Sequence, residues 1–482
     1  MVDSLKLKWI YSVSALFITL NTLLIAKEFF WFPILPVIFF VILLSLFALD
    51  KLVLVIVFFT HLSIVLKENT EFGIAISLPT EPILFGVMLL FIVRILFENT
   101  FDKKVFRHPI TIAIFANLVW MTITTMTSDM PLISLKFLVS RIWFLITYYF
   151  LAVHLFKNFK NIKTYVWLYV IAFSMVIIYT LIHHSMFEFL EQPAHWVMFP
   201  FYNDHTSYAA VLALFVPILL FFCINPEYSK SIKLYAWLLI TLFIVALIFS
   251  YTRAAWVSLA GALVVWLIYL LRMKLRTVLI LGGMILSVFF YYQQDIFMKL
   301  EKNRQNSSKD FAEHVQSISN ITTDASNLER INRWKSALRM FEERPFFGWG
   351  PGTYQFKYSP YQFSYERTEI STNAGDRGNA HSEYIGPLAE SGVFGMATFL
   401  VIVFTVLYSC SRLYYSLEDK NTKMLVLSLL LGLVTYFIHG ALNNFLDTDK
   451  ASAPFWGFIA MIAAIDLFHC EQKRKSTNAA GK

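Results

Sequence analysis

Runs of about 17–25 apolar residues recur along nearly the whole 482-residue chain, and that repetition leaves few folds open to it. One such run crosses roughly 30 Å of hydrocarbon as an α-helix, and in lipid only helices or closed barrels satisfy their own backbone. The runs fall near 9–26, 30–49, 52–66, 82–98, 109–127, 137–156, 164–183, 206–224, 234–250, 254–271, 276–292, 392–411, 424–440 and 453–469. Length alone would suggest about three soluble domains. A charged fraction of 15% and a mean hydropathy of +0.61 overrule it, because ordinary soluble domains carry about 25% charged residues. The expected fold is an all-α integral membrane protein, a polytopic helical bundle of about 12–14 transmembrane helices. The first run lacks a small-residue cleavage site and reads as a retained anchor.

Orientation follows from Lys and Arg in the short connections, which favour the cytoplasmic side. One set of connections carries Lys6, Lys8, Lys51, Lys103, Lys104, Arg107, Lys157, Lys160, Lys163, Lys230, Lys233, Arg272, Lys274, Arg276, Arg412, Lys420 and Lys423. The alternate set holds little beyond Lys27, Lys67, Arg253 and Lys450. Both termini are therefore expected in the cytoplasm, and the net charge of +8 needs no nucleic acid to explain it. The domain reading is about eleven spans over 1–292, an extracytoplasmic loop over 293–391, three spans over 392–469 and a cytoplasmic tail over 470–482. Cys223, Cys410 and Cys470 have neither metal-ligand nor disulfide spacing and read as small apolar fillers.

The unusual polar residues collect on the outer side of this topology. In the long loop, Ser326 and Glu329 form a capping-box pattern, and Leu328, Ile331, Trp334, Leu338 and Phe341 recur at helical spacing. This predicts an amphipathic helix over 327–342 with Arg330, Arg333 and Arg339 on its other face. "FFGWGPGTYQF" follows; Gly348, Gly350 and Gly352 read as turn formers without a specific contact. "FYNDHTSYAA" puts Asn203, Asp204 and His205 at the mouth of one span, and "SYTRAAW" puts Arg253 in a tight turn. His439, Asn443, Asn444 and Asp447 cluster at the outer end of another. Arg141 lies inside the sixth run, where an ionised side chain is costly enough to suggest a role. "AHSEYIGPLAESGVFG" sets His381 and Glu383 at the opening of the twelfth run.

"SYTRAAW", "RINRWKSALRMFEERPFFGWGPGTY" and "HSEYIGPLAESGVFG", in that order, resemble the O-antigen ligase/polymerase family over about 245–400. The resemblance implies a helical fold related to the C-type membrane glycosyltransferases. It also implies an enzyme that takes an undecaprenyl-diphosphate-linked glycan as donor. The implied acceptor is a lipid A core sugar for a ligase, the growing glycan for a polymerase, or a protein Ser/Thr for an O-oligosaccharyltransferase. The implied place is the bacterial cytoplasmic membrane, among membrane lipids, with the active site facing the periplasm. The family's functional positions fall on Arg253, Arg330 and His381; Ser382 replaces the Asn commoner after that histidine.

Displacement at an anomeric carbon with a lipid diphosphate as leaving group needs stabilisation of the departing charge, for which arginine is suited. It also needs a base for the acceptor hydroxyl, for which a histidine is suited. His381 is thus the expected base, Arg253 and Arg330 the diphosphate clamps and Arg141 a third cation. His205, Asp204, Arg333 and Glu383 are accessory candidates. No carboxylate pair resembles a Mg²⁺ site, so no metal and no cofactor is expected. A flippase for the same lipid-linked sugars is the opposing class, but such folds tend to show internal repeats and midplane charge, and neither is apparent here. A reporter fused near residue 320 is expected to read as extracytoplasmic; a cytoplasmic signal would overturn the orientation.

Overall fold

The computed structural model describes residues 4–29, 32–67, 75–97, 101–274, 276–284, 287–288, 291–292, 325–366 and 378–470. Most of 276–292 is described only in pieces. Residues 293–324, 367–377 and 471–482, which include the first part of the expected loop and nearly all of the tail, lie outside the described residues.

The chain forms two compact units, residues 1–55 and 56–482. The first contains α1 (Ser4–Ile25), a 3₁₀ turn (Phe32–Ile34) and α2 (Leu35–Phe47). Phe17 and Phe32 stack at 5.1 Å, and apolar side chains such as Trp9 and Phe39 are exposed, as suits a lipid-facing surface.

Helix α3 (Leu49–Thr60) leads into the second unit. The apolar run 52–66 is not one span. Thr60 Oγ1 donates to Ile56 O and Ser63 Oγ to Thr60 O, both at 2.8 Å, which closes the helix end. The next residues form β1 (Ile64–Lys67), antiparallel to β2 (Ala75–Leu78) with Ile64 opposite Leu78. Hydropathy alone does not separate an apolar strand from a short span.

The helices that follow are α4 (Thr80–Phe97), α5 (Pro109–Met126), α6 (Pro131–Leu155), α7 (Lys160–Ser185), α8 (His205–Ile224), α9 (Lys230–Phe249) and α10 (Arg253–Leu270). Then come α11 (Ala325–Glu343), α12 (Ile385–Ser416), α13 (Lys420–Leu442) and α14 (Asp449–His469). Among the described residues eleven helices are long and apolar enough to cross a membrane; α2, with its 3₁₀ turn, is shorter. The protein is thus an all-α polytopic membrane protein.

Helices α8 and α14 are buried along nearly their whole length and form the centre. Helix α8 packs against α9 and α13, α13 against α10, and α5 against α12. Small residues permit the close approaches: a Cβ on Gly432 would lie 2.6 Å from Leu214 O.

Helix α12 is broken. Gly392 has φ 68° and ψ −169°, a conformation natural only to glycine. The loop after α11 fills the break with its backbone. Trp349 N–H donates to Ala389 O at 3.2 Å, Gly350 N–H to Glu390 O at 2.7 Å, and Val393 N–H to Pro345 O at 2.9 Å. Gly348, Gly350 and Gly352, expected to touch nothing specific, all have positive φ and lie against this break or its neighbours. A Cβ on Gly348 would lie 2.4 Å from the Glu390 carbonyl carbon, and one on Gly350 2.0 Å from Ser128 Oγ. These glycines are the contact surface by which the loop seats on the bundle.

Gly392→Ala would put a methyl 2.0 Å from Phe346 O as well as straining φ, at a cost of about 2 kcal/mol or more. Its thermal midpoint in detergent is expected to fall by several degrees, whereas Gly86→Ala, with open space at its Cα, is expected to leave it in place.

Candidate functional site

The loop helix α11 buries the face opposite its apolar stripe. Glu329, Asn332, Arg333, Ser336, Ala337 and Met340 are buried, whereas Leu338 is 43% exposed. Ala337 and Met340 pack with Trp349, Tyr354, Tyr358, Ala380 and Ala389 into a small core that fixes α11 over the start of α12. Arg339 makes a two-pronged pair with Glu366, 2.6 Å on each side.

Arg333, 4% exposed, is held rigidly. Its Nε donates to Glu329 Oε1 at 2.8 Å, and its guanidinium lies over the Tyr358 ring at 3.9 Å. Gly378 passes so close that a Cβ there would overlap it. Half-buried Arg330 sits on the adjoining face, near enough to act electrostatically on His381, His439 and His205.

His381 has φ 48°, an unusual backbone conformation of the kind that concentrates at functional sites. Its N–H donates to Asn379 Oδ1 at 3.1 Å, and its carbonyl accepts from Trp334 Nε1 at 3.4 Å. Burial, together with the positive charge of Arg330 and Arg333, pushes the ring pKa down to about 4, against the opposing pull of Asn443 and Asp204. Near neutral pH the ring is therefore uncharged. Ser382 Oγ accepts from the N–H groups of Tyr384 and Ile385 at 3.2 Å, so the serine starts α12 as a cap.

The Asn443 side chain stands near enough to the His381 ring to oppose the lowering of its pKa, and Asn443 Nδ2 lies 3.1 Å from His439 Nε2. Asn443 was visible in the sequence only as one of several polar residues after α13; its spacing of four from His439 was the available signal. His205 opens α8, with Nδ1 2.8 Å from Ser250 O and its ring stacked on His195 at 4.2 Å. Asp204 is the N-cap of α8: its Oδ1 accepts from Thr206 N and Ser207 N at 2.8 and 2.9 Å. Arg253 is the first residue of α10. Its neighbour Thr252 has Oγ1 3.2 Å from His205 Nδ1, so the "SYTRAAW" turn adjoins the same cluster.

Glu383 is a clamp. Its Oε1 accepts from Tyr436 Oη at 2.8 Å and from Phe445 N and Leu446 N at 2.8 and 2.9 Å. Its own N–H donates to Gly440 O at 2.7 Å. The histidine-bearing turn is thereby tied to the connection between α13 and α14.

Two cavities adjoin this cluster. The smaller, about 210 Å³, is walled by Asn379, Ala380 and Ser382 on the histidine turn and by the carboxyl groups of Glu383, Glu390 and Asp447. The larger, about 410 Å³, is lined by Lys136, Asp204, Asp449 and Lys450 among others. Arg141 and Asp447 line both. Of the residues expected from sequence, His381, Arg330, Arg333, Asp204 and His205 are gathered in one cluster. Arg141 and Glu383 face the cavities, and Asp204 belongs to both settings. His381, Arg253 and Arg330 line neither cavity.

A many-span helical membrane protein with a cationic, histidine-bearing loop seated on one end of its bundle is the class these features define. Residues 237–400 match the family model of O-antigen ligase, the family that the three sequence motifs resemble, and the matched stretch contains all three. The match implies ligase- or polymerase-type activity on lipid-linked glycans. No curated protein matches the chain significantly.

Arg333→Ala would leave Glu329 buried without its cation, a change that typically costs about 3–5 kcal/mol. Its thermal midpoint is expected to drop clearly, and Arg333→Lys, which loses the planar stack on Tyr358, is expected to recover only part of it.

Proposed function

We propose that the chain transfers a glycan from an undecaprenyl-diphosphate carrier to an acceptor hydroxyl, that of a lipid A core sugar, at the outer face of the cytoplasmic membrane. The transfer needs no metal in this reading. The observation that carries it is the approach of Arg330 and Arg333 to an uncharged His381 in one buried site. Two guanidiniums beside a neutral imidazole make a cationic setting, to which a diphosphate is complementary.

The reaction runs as a displacement at the anomeric carbon. The acceptor oxygen bonds to that carbon as the bond to the diphosphate oxygen breaks. The acceptor proton passes to His381, and Arg330, aided by Arg253 and Arg141, takes up the growing charge on the diphosphate. Arg333, committed to Glu329 and Tyr358, contributes through its field. Asn443 turns Nδ2 toward His439 and so presents Oδ1 to a His381 N–H. A hydrogen bond formed there in the loaded site leaves the other ring nitrogen with its lone pair for the acceptor.

Diphosphate binding has a further consequence. It offsets the guanidinium charge that adds to burial in holding the His381 pKa down, so the base strengthens once the donor is in place. A base must be unprotonated, and with a free-enzyme pKa of about 4 it is so from mildly acidic pH upward.

In a strain lacking the protein, long glycan is expected to accumulate on the undecaprenyl carrier beside bare lipid A core. Single repeat units on the carrier would instead mean a polymerase, and an unchanged profile would overturn the reading. With purified protein, kcat/KM is expected to stay flat from about pH 5.5 to 8 and to fall only near pH 4. The acid limb of kcat is expected to lie at higher pH than that of kcat/KM. Arg330→Gln should move the kcat/KM limb up toward the ordinary histidine value of about 6.5, and His381→Ala should abolish transfer while the protein still inserts.

A further inference from the structure

The proposed chemistry leaves the smaller cavity without an occupant. Its chemistry is specific. Carboxyl groups come from Glu383, Glu390 and Asp447, an amide from Asn444, and aromatic rings from Trp120 and Trp456. The indole N–H of Trp456, on a residue only 2% exposed, has no hydrogen-bond partner among the described residues, and neither has Asn444 Oδ1. Each is a buried polar atom, and leaving such an atom unpaired costs about 1–3 kcal/mol. A ligand that both donates and accepts would satisfy the two together.

We infer that this cavity seats the acceptor's sugar, and that it takes an uncharged pyranose. The assignment rests on the proposed transfer reading and extends it to the acceptor. A pyranose has apolar C–H faces that lie against aromatic rings and a rim of hydroxyls that both donate and accept, which matches walls that mix aromatic rings with convergent polar groups. Volume agrees. About 210 Å³ is some seven water volumes at roughly 30 Å³ each, the scale of one sugar ring.

Charge excludes the alternatives. The lining offers an anion one guanidinium, that of Arg141, set beside three carboxyl groups, whereas two guanidiniums stand by His381; a phosphate or a uronate is therefore poorly matched here. The diphosphate therefore belongs with Arg330 and His381, outside this cavity. A polyprenyl tail has no use for carboxyl and amide groups. Position completes the case: Ala380 and Ser382, the two neighbours of His381, both stand in the wall, so a sugar seated here sets its hydroxyls beside the histidine turn.

The test is binding of methyl glycosides to the purified full-length protein in detergent, read by saturation-transfer NMR, which requires no donor. A neutral methyl hexoside is expected to bind at least tenfold more tightly than the matching methyl hexuronide. Trp456→Phe, which keeps an aromatic ring, though a smaller one, and removes the N–H, is expected to weaken the neutral glycoside about tenfold. Asp447→Asn is expected to narrow the neutral-to-uronide preference severalfold, and it carries the test if the tryptophan variant does not fold. Equal binding of both glycosides, no binding at all, or indifference to both substitutions would overturn the assignment. Selective binding without transfer from any lipid-diphosphate donor would uphold the sugar site and overturn the enzymatic reading instead.

Discussion

The backbone pairing between the loop at 345–350 and the broken start of α12 is the interaction on which the rest of this structure depends. A helix broken at Gly392 strands N–H and C=O groups where water is scarce, and such groups must find partners in protein. The loop supplies them through Trp349, Gly350 and Pro345. Once that seam closes, α11 is fixed over α12, and with it the height and direction of Arg330 and Arg333. The same half-helix begins with the Ser382 cap and the Glu383 clamp. The cations and the histidine are therefore positioned from two sides of one seam, and a loosened seam would displace both together.

Electrostatics gives the site its direction. Arg333 has its own carboxylate in Glu329, and Arg339 has Glu366, so these pairs hold the loop together. Burial, reinforced by the remaining positive field of Arg330 and Arg333, brings the His381 ring pKa down to about 4. A neutral histidine facing guanidiniums suits a site whose ligand brings the missing negative charge. The unusual φ of His381 fits the same picture, because strain persists only where the surroundings over-determine it. Here the Asn379 and Trp334 hydrogen bonds do so.

The fold class was legible because hydrophobic run length is a one-dimensional property, and most spans recur in the structure within a few residues. The run at 52–66 was not, since Thr60 and Ser63 end its helix through local hydrogen bonds that hydropathy does not register. The loop helix was legible from its periodicity, but the choice of buried face was not. The apolar stripe predicts burial of Leu338, whereas the structure buries Arg333 and Ser336, where Arg333 pairs with Glu329 and stacks on Tyr358 and Ser336 donates to Asn332 O. The glycines at 348, 350 and 352 were visible as turn formers. Their purpose was not, because the surfaces that admit no Cβ are set by residues distant in sequence, Glu390 for Gly348, Ser128 for Gly350 and Phe137 for Gly352.

Candidate site residues were legible as types and sides rather than as partners. Arginines and histidines at one membrane face pointed to an anion, and His381, Arg330, Arg333, Asp204 and His205 do come together. Sequence could not sort them by commitment. Asp204 is engaged as a helix cap, Glu383 holds two backbone N–H groups, and Arg333 is locked in a pair. Arg141, in contrast, faces open space in two cavities. In the proposed reading this sorting divides the work. Asp204, Glu383 and Arg333 build the frame and shape its field, while His381 and Arg141 meet the substrates. Arg141 stands between the acidic cavity and the wider one, where a guanidinium can attend to a departing diphosphate and still offset the carboxyl groups around an acceptor. A cation at that boundary lets an anionic donor and an uncharged acceptor lie side by side, as a transfer between them requires.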